Sequence, residues 1–424
     1  MKFGHLPDVL AEVEPLSSRF ANAGFRLFLV GGIVRDQWLG VGLDDSSDID
    51  LTTDARPPDI LQLVTSLADD VWTQGEKFGT IGIRASGRDY EITTFRAESY
   101  SSDSRKPVVS FGDNIDVDLS RRDFTVNAMA IELPGGELVD PHGGATDLEA
   151  RLLRTPLSPE ISFTDDPLRM LRVARFSAKY SLVATPELVA SATEFHQRIR
   201  IVAIERIGVE VRRLLGLDRS PDGLRFLAET GLFAEVLAYG QPDLVPVIQP
   251  RLDRAIAVVS DSPRDWHLAL SAIGLVVFET VEGVQAMCQR LRLSRDDERA
   301  IVAIAKASLA TPDAEESDDP TMRRFITEHG EATESIELAF RLRDQPGDEV
   351  AVIEALTQLV AGEDPQHVEL IDGSIIMAEL ELAPGPEIGQ AHAFLQDSYF
   401  ARGPLSQDDQ IALVRTWWAE QQRP

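Results

Sequence analysis

The chain holds one cysteine, Cys288, in 424 residues. A lone thiol excludes an intrachain disulfide framework and any multi-cysteine zinc site, and it predicts a reducing, cytoplasmic setting with no disulfide partner. Long apolar runs are missing too. The longest, such as residues 268–278, falls short of the roughly 20 residues that span a bilayer, so no membrane partner is expected. The opening MKFGHLPDVLAEVEPLSSRF lacks a basic head followed by an apolar stretch, which reads as no signal peptide. Basic residues are in deficit, 41 Lys+Arg against 70 Asp+Glu, for a net charge of -29. That balance excludes a protein coated in positive charge for non-specific polyanion binding, but it leaves room for a local basic groove.

What is present is a large globular chain. Hydrophobic residues make up 43%, enough for a substantial core, and the length predicts two or three domains. Charge is unevenly spread. Residues 1–220 are net -9 and 221–424 net -20, while 151–220, with 12 basic and 8 acidic residues, is net +4. Periodicity predicts a helix over 8–23, strands at 26–30 and 49–52, and a helix over 57–67. Two hairpins are expected, 78–85 with 89–95 around Ser86-Gly87, and 127–133 with 137–140 around Pro134-Gly135-Gly136. From Asp147 onward helical patterns dominate. The expected fold class is therefore an α+β N-terminal head, a small mixed sheet with helices, followed by an all-α neck, body and tail. Residues 98–115 read as a polar, mobile loop, and 310–320 as an acidic linker or long loop.

Two motifs carry chemistry. Gly31-Gly32-Ile33-Val34-Arg35-Asp36 follows a strand and opens a helix, which puts backbone N–H groups where phosphate oxygens can approach. Asp48-Ile49-Asp50 alternates two carboxylates on one face of a strand. Adjacent carboxylates repel unless a cation lies between them, and all-oxygen ligation suits Mg²⁺.

In this order the motifs resemble the opening of the DNA polymerase β-like nucleotidyltransferases, and more narrowly the bacterial class II tRNA CCA-adding enzyme and poly(A) polymerase family. The resemblance continues through Glu91-Ile92-Thr93-Thr94-Phe95-Arg96, then Arg121-Arg122-Asp123-Phe124-Thr125-Val126-Asn127-Ala128-Met129-Ala130. Asp140-Pro141-His142-Gly143-Gly144 with Asp147 and Arg154 follows, and then Asp165-Asp166-Pro167-Leu168-Arg169 with Arg172 and Arg175. It closes on Glu205-Arg206-Ile207 with Glu210. It spans residues 27–215.

The resemblance implies a catalytic head at 1–145 and a helical neck at 146–220 that holds the nucleobase and RNA 3′ end. A helical body at 221–310 and a tail at 311–424 that can reach the tRNA elbow would follow. It implies untemplated addition of CCA to tRNA 3′ ends from CTP and ATP with pyrophosphate released. Poly(A) synthesis, or addition of CC or A alone, is the nearest alternative, and a non-catalytic RNA-binding regulator a more distant one. The tRNA 3′ end and acceptor stem would be the partner.

Asp48 and Asp50 would hold two Mg²⁺, with Glu91 either a third carboxylate or a solvent-facing strand residue. Gly31, Gly32 and Arg35 would grip the triphosphate, unless Arg35 pairs with Asp36 or the Asp44-Asp45 loop. Arg122 and Asp123 would meet the nucleotide sugar, or form an ion-pair knot. Asp166 and Arg169, three apart and expected on one helix, would read the base edge, with Arg172 and Arg175 reaching the base or phosphates. Asp166 before Pro167 is equally a helix N-cap.

The C-terminal half carries weaker signals. Relatives often bear a metal-dependent phosphohydrolase domain there. Asp265-Trp266-His267-Leu268 resembles its entry helix, yet Gly274-Leu275 stands where His-Asp would be expected, and the seven histidines lack ligand spacing. A degenerate helical domain without hydrolase activity is the expectation. Ile371-Asp372-Gly373-Ser374 and Pro384-Gly385-Pro386 resemble the family's tail, and Trp417-Trp418 reads as helix packing.

Overall fold

Four consecutive apolar residues, Leu27–Val30, form strand β1 because both faces of the strand are covered. Helix α1 (Leu6–Asn22) precedes it and α2 (Gly32–Trp38) follows. In the computed structural model, residues 4–42, 48–101, 104–260 and 265–422 are described, with only the backbone for 97–101 and 104–110. The Asp44-Asp45 loop lies outside the described residues.

Next come β2 (Ile49–Thr53), α3 (Pro57–Val64), β3 (Asp70–Trp72), β4 (Thr80–Ala85) and β5 (Arg88–Thr94). Ser86 and Gly87 both take positive φ, 52° and 81°, so the β4–β5 turn is the tight hairpin expected there. Strands β6 (Arg96–Ser101) and β7 (Ser104–Phe111) pair antiparallel, where the sequence predicts a loop. Tyr100, Val108, Val109 and Phe111 are strand-forming types whose signal the surrounding polar residues mask. The head closes with α4 (Ile115–Ser120), β8 (Ala130–Leu133) and β9 (Glu137–Val139). Its sheet has the order β3-β4-β5-β2-β1-β8-β9, and only β2 and β5 are parallel neighbours.

Phe28 and Val30 of β1 pack under Phe95 and the α4 residues Ile115 and Leu119. Burial of the last two contributes about 2 kcal/mol each. Asn114 caps α4 by accepting from the Asp116 N–H at 2.8 Å. This helix therefore delivers Arg121, Arg122 and Asp123 to one face of the sheet.

Helix α5 (Gly144–Ala150) backs directly onto Thr125. A Cβ on Gly144 would stand 2.1 Å from the Thr125 carbonyl oxygen. Thr125 Oγ1 donates to Asp147 at 2.6 Å, and Arg154 Nε donates to the same carboxylate at 2.9 Å. Strands β10 (Leu152–Leu153) and β11 (Val183–Ala184) form a short parallel pair. Around them lie α6 (Pro159–Asp165), α7 (Leu168–Tyr180), α8 (Pro186–Phe195), α9 (Ile204–Leu215), α10 (Ser220–Glu229), α11 (Leu232–Leu237) and α12 (Val245–Ile248). Together these elements make one compact unit, residues 1–249.

The second unit, residues 250–424, is helical. It comprises α13 (Leu252–Ser260), α14 (Trp266–Phe278), α15 (Val281–Arg290), α16 (Arg295–Ala310), α17 (Asp319–His329), α18 (Thr333–Leu342), α19 (Glu349–Gly362), α20 (Gly373–Leu380), α21 (Pro386–Arg402) and α22 (Gln407–Gln421). Residues 310–320 are anchored at their start and largely exposed beyond it. Thr311 and Pro312 are buried, and Arg343 donates to the Thr311 carbonyl at 2.6 Å and to Asp313 at 2.9 Å. Trp417 stacks on Phe394, centroids 5.4 Å apart, as the helix-packing reading expects. Among the described residues, no single helix is long and apolar enough to cross a membrane.

Cys288 lies inside α15 at 0% exposure, and burial pushes its thiol up to about 12. Thiolate is the reactive form, so the native protein should resist a chromogenic aromatic disulfide. One equivalent of thiol should appear only on unfolding in denaturant. Fast stoichiometric reaction of the folded protein would contradict this burial.

Candidate active site

Strand register sets Asp50 beside Glu91 on the parallel pair β2–β5. Paired residues share a face. Both carboxylates therefore leave the side of the sheet that carries Phe28 and Val30, the side α4 packs on. Asp48 stands two residues earlier, at the entrance to β2, and Glu91 shares the Asp50 face while remaining solvent-exposed. Withdrawal from water pushes Asp50 up to about 6; Arg122 pulls it back, and Glu91 and Asp48 add to the rise. Asp50 nevertheless keeps some contact with solvent.

Adjacent carboxylates, with Asp50 holding its proton more tightly than usual, are donor chemistry for Mg²⁺. Among the described residues, no three Asp, Glu, His or Cys side chains already close on one point. Mg²⁺ keeps several waters and shares its shell with substrate phosphates, so one or two protein carboxylates suffice and the residues fit.

On the β1 side of Asp50 lies the phosphate-type corner. Gly31 has φ of 73°, and a Cβ there would stand 3.1 Å from Arg122 Nη1 and 3.8 Å from Asp50 Oδ2. The missing side chain is what lets these groups converge. Arg122 bonds Asp118 at 3.3 Å, while its Nε is buried with no hydrogen-bond partner among the described residues. An orphaned buried donor beside an acidic cluster suits an incoming anion. Asp118 is the anchor beneath. Burial would push its carboxyl up, but Arg121 and Arg122 outweigh that and hold it below the usual carboxylate range.

Arg35 behaves differently from the expectation that it grips phosphate. It is only 5% exposed. Its Nε and Nη2 donate to Asp36 at 2.9 and 3.0 Å, its Nη1 donates to Asn127 at 2.5 Å, and its guanidinium lies 4.1 Å from the Tyr180 ring centroid. It braces α2 against α7. A Cβ on Gly32 would meet Arg35 Nη2 at 3.4 Å, so Gly32 makes room for that brace.

Asp123 is also turned inward. Its Oδ1 accepts from Asn127 Nδ2 at 3.0 Å and its Oδ2 from Arg172 Nε at 2.8 Å. Burial alone would raise its carboxyl, yet Arg172 and Asn127 hold it at about 2. Arg175 is buried against Glu210, Nε to Oε2 2.6 Å, and so does not reach toward a base. Arg172 lies 3.6 Å from the same Glu210. These side chains form the ion-pair knot, joining head to neck.

Asp166 and Arg169 do not share a helix. Pro167 ends α6, and Asp166 lies in the extended break before α7. Its Oδ1 accepts from the Leu168 N–H at 3.2 Å, the capping role, and its Oδ2 from Arg206 at 3.0 Å. Arg169 donates to Ser162 Oγ at 2.9 Å and to the Arg121 carbonyl at 2.5 Å. In the C-terminal unit, His267 Nε2 lies 3.0 Å from Asp297 Oδ1, and Asp265 caps α14.

A family model described as the poly A polymerase head domain matches residues 27–154, and one described as a probable RNA and SrmB-binding site of polymerase A matches 185–245. A CCA-adding enzyme of Streptococcus suis is 29% identical over 421 residues, 98% of each chain. That of Latilactobacillus sakei is 33% identical over 311 residues, 73% of this chain and 74% of its own. The chain belongs to the CCA-adding enzyme family. The fold agrees. Bacillus stearothermophilus CCA-adding enzyme in complex with CTP aligns at TM-score 0.76 over 99% of this chain and all of that one, at 21% identity. Thermotoga maritima CCA-adding enzyme complexed with tRNA aligns at 0.64 over 96% and 95%, at 20% identity.

Within this CCA-adding fold, sequence reading overlooked Asp118, Asn127 and Tyr180. Asp118 was findable, since it precedes Arg121 and Arg122 by helical spacing. Asn127 and Tyr180 were not, because only the folded brace brings them to Arg35.

The Asp123 knot carries an acid-sensitive stability. Its folded value, about 2, lies below the ordinary aspartate value of 3.8, so the contribution is complete above about pH 4 and is lost as pH falls toward 2. We expect Asp123→Asn to lower unfolding stability at pH 7 by about 3 kcal/mol, with the difference from wild type shrinking below pH 4. Denaturant melts at pH 7 and pH 3 check this; an equal loss at both would contradict it.

Proposed function

We propose that this chain adds CCA to tRNA 3′ ends from CTP and ATP, in the reducing cytoplasm, without a nucleic-acid template. The observation that supports this reading best is the single row that sets Asp50 beside Glu91 with Gly31 and Arg122 at one end, in a chain whose family membership runs nearly its full length. The working division is a catalytic head at 1–145, a neck at 146–220, a body at 221–310 and a tail at 311–424.

Asp48 and Asp50 would hold two Mg²⁺, with Glu91 as the neighbouring carboxylate. Bound there, the ions supply Lewis-acid stabilisation of charge on the entering and leaving oxygens. The remaining work belongs to the chain. Gly31 leaves space for the triphosphate, and Arg122 offers it a buried donor with no other commitment. Arg35, Asp123, Arg172 and Arg175 keep the head and neck in fixed register, so the nucleotide is held by both at once. Asp166 and Arg169 read the base: a carboxylate oxygen accepts from the exocyclic amine shared by cytosine and adenine, and a guanidinium donates to ring nitrogen or carbonyl.

A tRNA transcript ending at its discriminator base should gain two nucleotides with CTP and three with CTP plus ATP. Long A tails, or A alone, would overturn the reading in favour of a poly(A) or A-adding enzyme, and arrest after two nucleotides with both substrates in favour of a CC-adding one. Asp48→Ala should cut incorporation by about a hundredfold or more and leave tRNA binding by gel shift intact. Undiminished incorporation would remove Asp48 from the chemistry.

A further inference from the structure

In-line displacement at phosphorus requires the attacking and leaving oxygens on opposite sides. The anion-type groups, Gly31 and Arg122, stand on the β1 side of Asp50. On the proposed function, the RNA 3′-hydroxyl must then approach Asp50 from the other side, across Glu91. Strand register says what lies there. Glu91 pairs with Gly82 of β4, and Gly82 pairs with Trp72 of β3, the edge strand. Asp50, Glu91, Gly82 and Trp72 thus form one row on one face.

Gly82 contributes no side chain to that row, and the indole fills the gap. A Cβ on Gly82 would stand 1.9 Å from Trp72 Nε1 and 2.1 Å from Cε2, an impossible approach for any other residue. The ring therefore lies flat across the neighbouring strand. That places it about one strand spacing, roughly 5 Å, from Glu91. Trp72 is half-buried, so it keeps accessible ring surface beside the carboxylates. A flat aromatic ring at the entry side of a phosphoryl-transfer site suits a nucleobase, because every base has a π-face and stacking tolerates any sequence. Growing CCA ends need that tolerance, since the terminal base changes with each addition.

We infer that Trp72 is the platform on which the terminal base of the RNA 3′ end stacks, making it a positioning residue for the attacking hydroxyl. It rests on the RNA-extending function proposed above. The test is steady-state kinetics on tRNA ending in CC with ATP, using the full chain. Trp72→Ala should raise the KM for tRNA about tenfold, keep the KM for ATP within about twofold, and reduce kcat far less than kcat/KM. Trp72→Phe should recover most of the loss. Trp72→Leu, which fills the volume without a π-face, should not, and it guards against an unfolded alanine variant. Gly82→Val, which lifts the indole without removing it, should reproduce the tRNA defect. RNA ending in 2-aminopurine should lose its stacking quench in Trp72→Leu.

An unchanged tRNA KM in both Trp72→Ala and Trp72→Leu, with wild type extending tRNA normally, would overturn the platform and spare the proposed function. A rise in the ATP KM instead would assign the ring to the incoming nucleotide and also overturn it. Wild-type protein that extends no RNA would overturn the function and the platform together.

Discussion

The buried pairing of Asp123 with Arg172 is the joint on which the catalytic half depends. Asp123 follows α4, which the sheet positions, and Arg172 belongs to α7 in the neck. The same arginine lies near Glu210 of α9, which also takes Arg175. Two carboxylates and two arginines therefore tie three helices and the sheet into a single geometry. Breaking such a pair leaves an uncompensated buried charge, which is far more costly than the net worth of forming it. That asymmetry makes it a device for register: a displacement of α7 would leave the Asp123 carboxylate buried without its partner.

The positive charge of residues 151–220 takes on a different meaning once these pairs are seen. Arg154 serves Asp147, Arg175 serves Glu210, Arg200 serves Glu235 and Arg206 serves Asp166. Excess positive charge along the sequence is not the same as a free basic surface, because these four guanidinium groups are already paired with carboxylates. The less committed arginine is Arg122, which lies in the acidic head. Capture of a polyanion by such a protein depends less on a diffuse field than on a few placed donors, ions and stacking surfaces.

Much of this was legible in the sequence where one residue type has one physical use. Gly31 at positive φ, the alternating Asp48 and Asp50, and the Ser86-Gly87 turn each have a local cause, and each appears where expected. Legibility failed wherever a partner comes from afar. Arg35 carries the same charge whether it faces phosphate or Asn127, and nothing local distinguishes the two. The β6–β7 ribbon was hidden by polar residues around its Val and Tyr positions. Pro167 was a local signal, and it did separate Asp166 from the helix of Arg169. Trp72 lay beyond reach for a different reason: its neighbourhood is a product of register across four strands, which no linear spacing encodes.

Asp123 and Asp166 show how the same pairing serves opposite ends. Both carboxylates accept from an arginine of the neck. Asp123 and Arg172 are 11% and 29% exposed, whereas Asp166 and Arg206 are 24% and 46% exposed. An exposed ion pair contributes about 0–1 kcal/mol, while breaking a buried one costs about 3–5 kcal/mol. On the proposed base-reading role, a nucleobase amine displaces Arg206 from Asp166 Oδ2 at little cost, since it returns a comparable hydrogen bond. No ligand can displace Arg172 from Asp123 on such terms. Oδ1 of Asp166 meanwhile stays on the Leu168 N–H, so the exchange leaves the carboxylate where the helix holds it. Solvent exposure, rather than residue type, separates a carboxylate whose partner can be exchanged from the one that holds the frame.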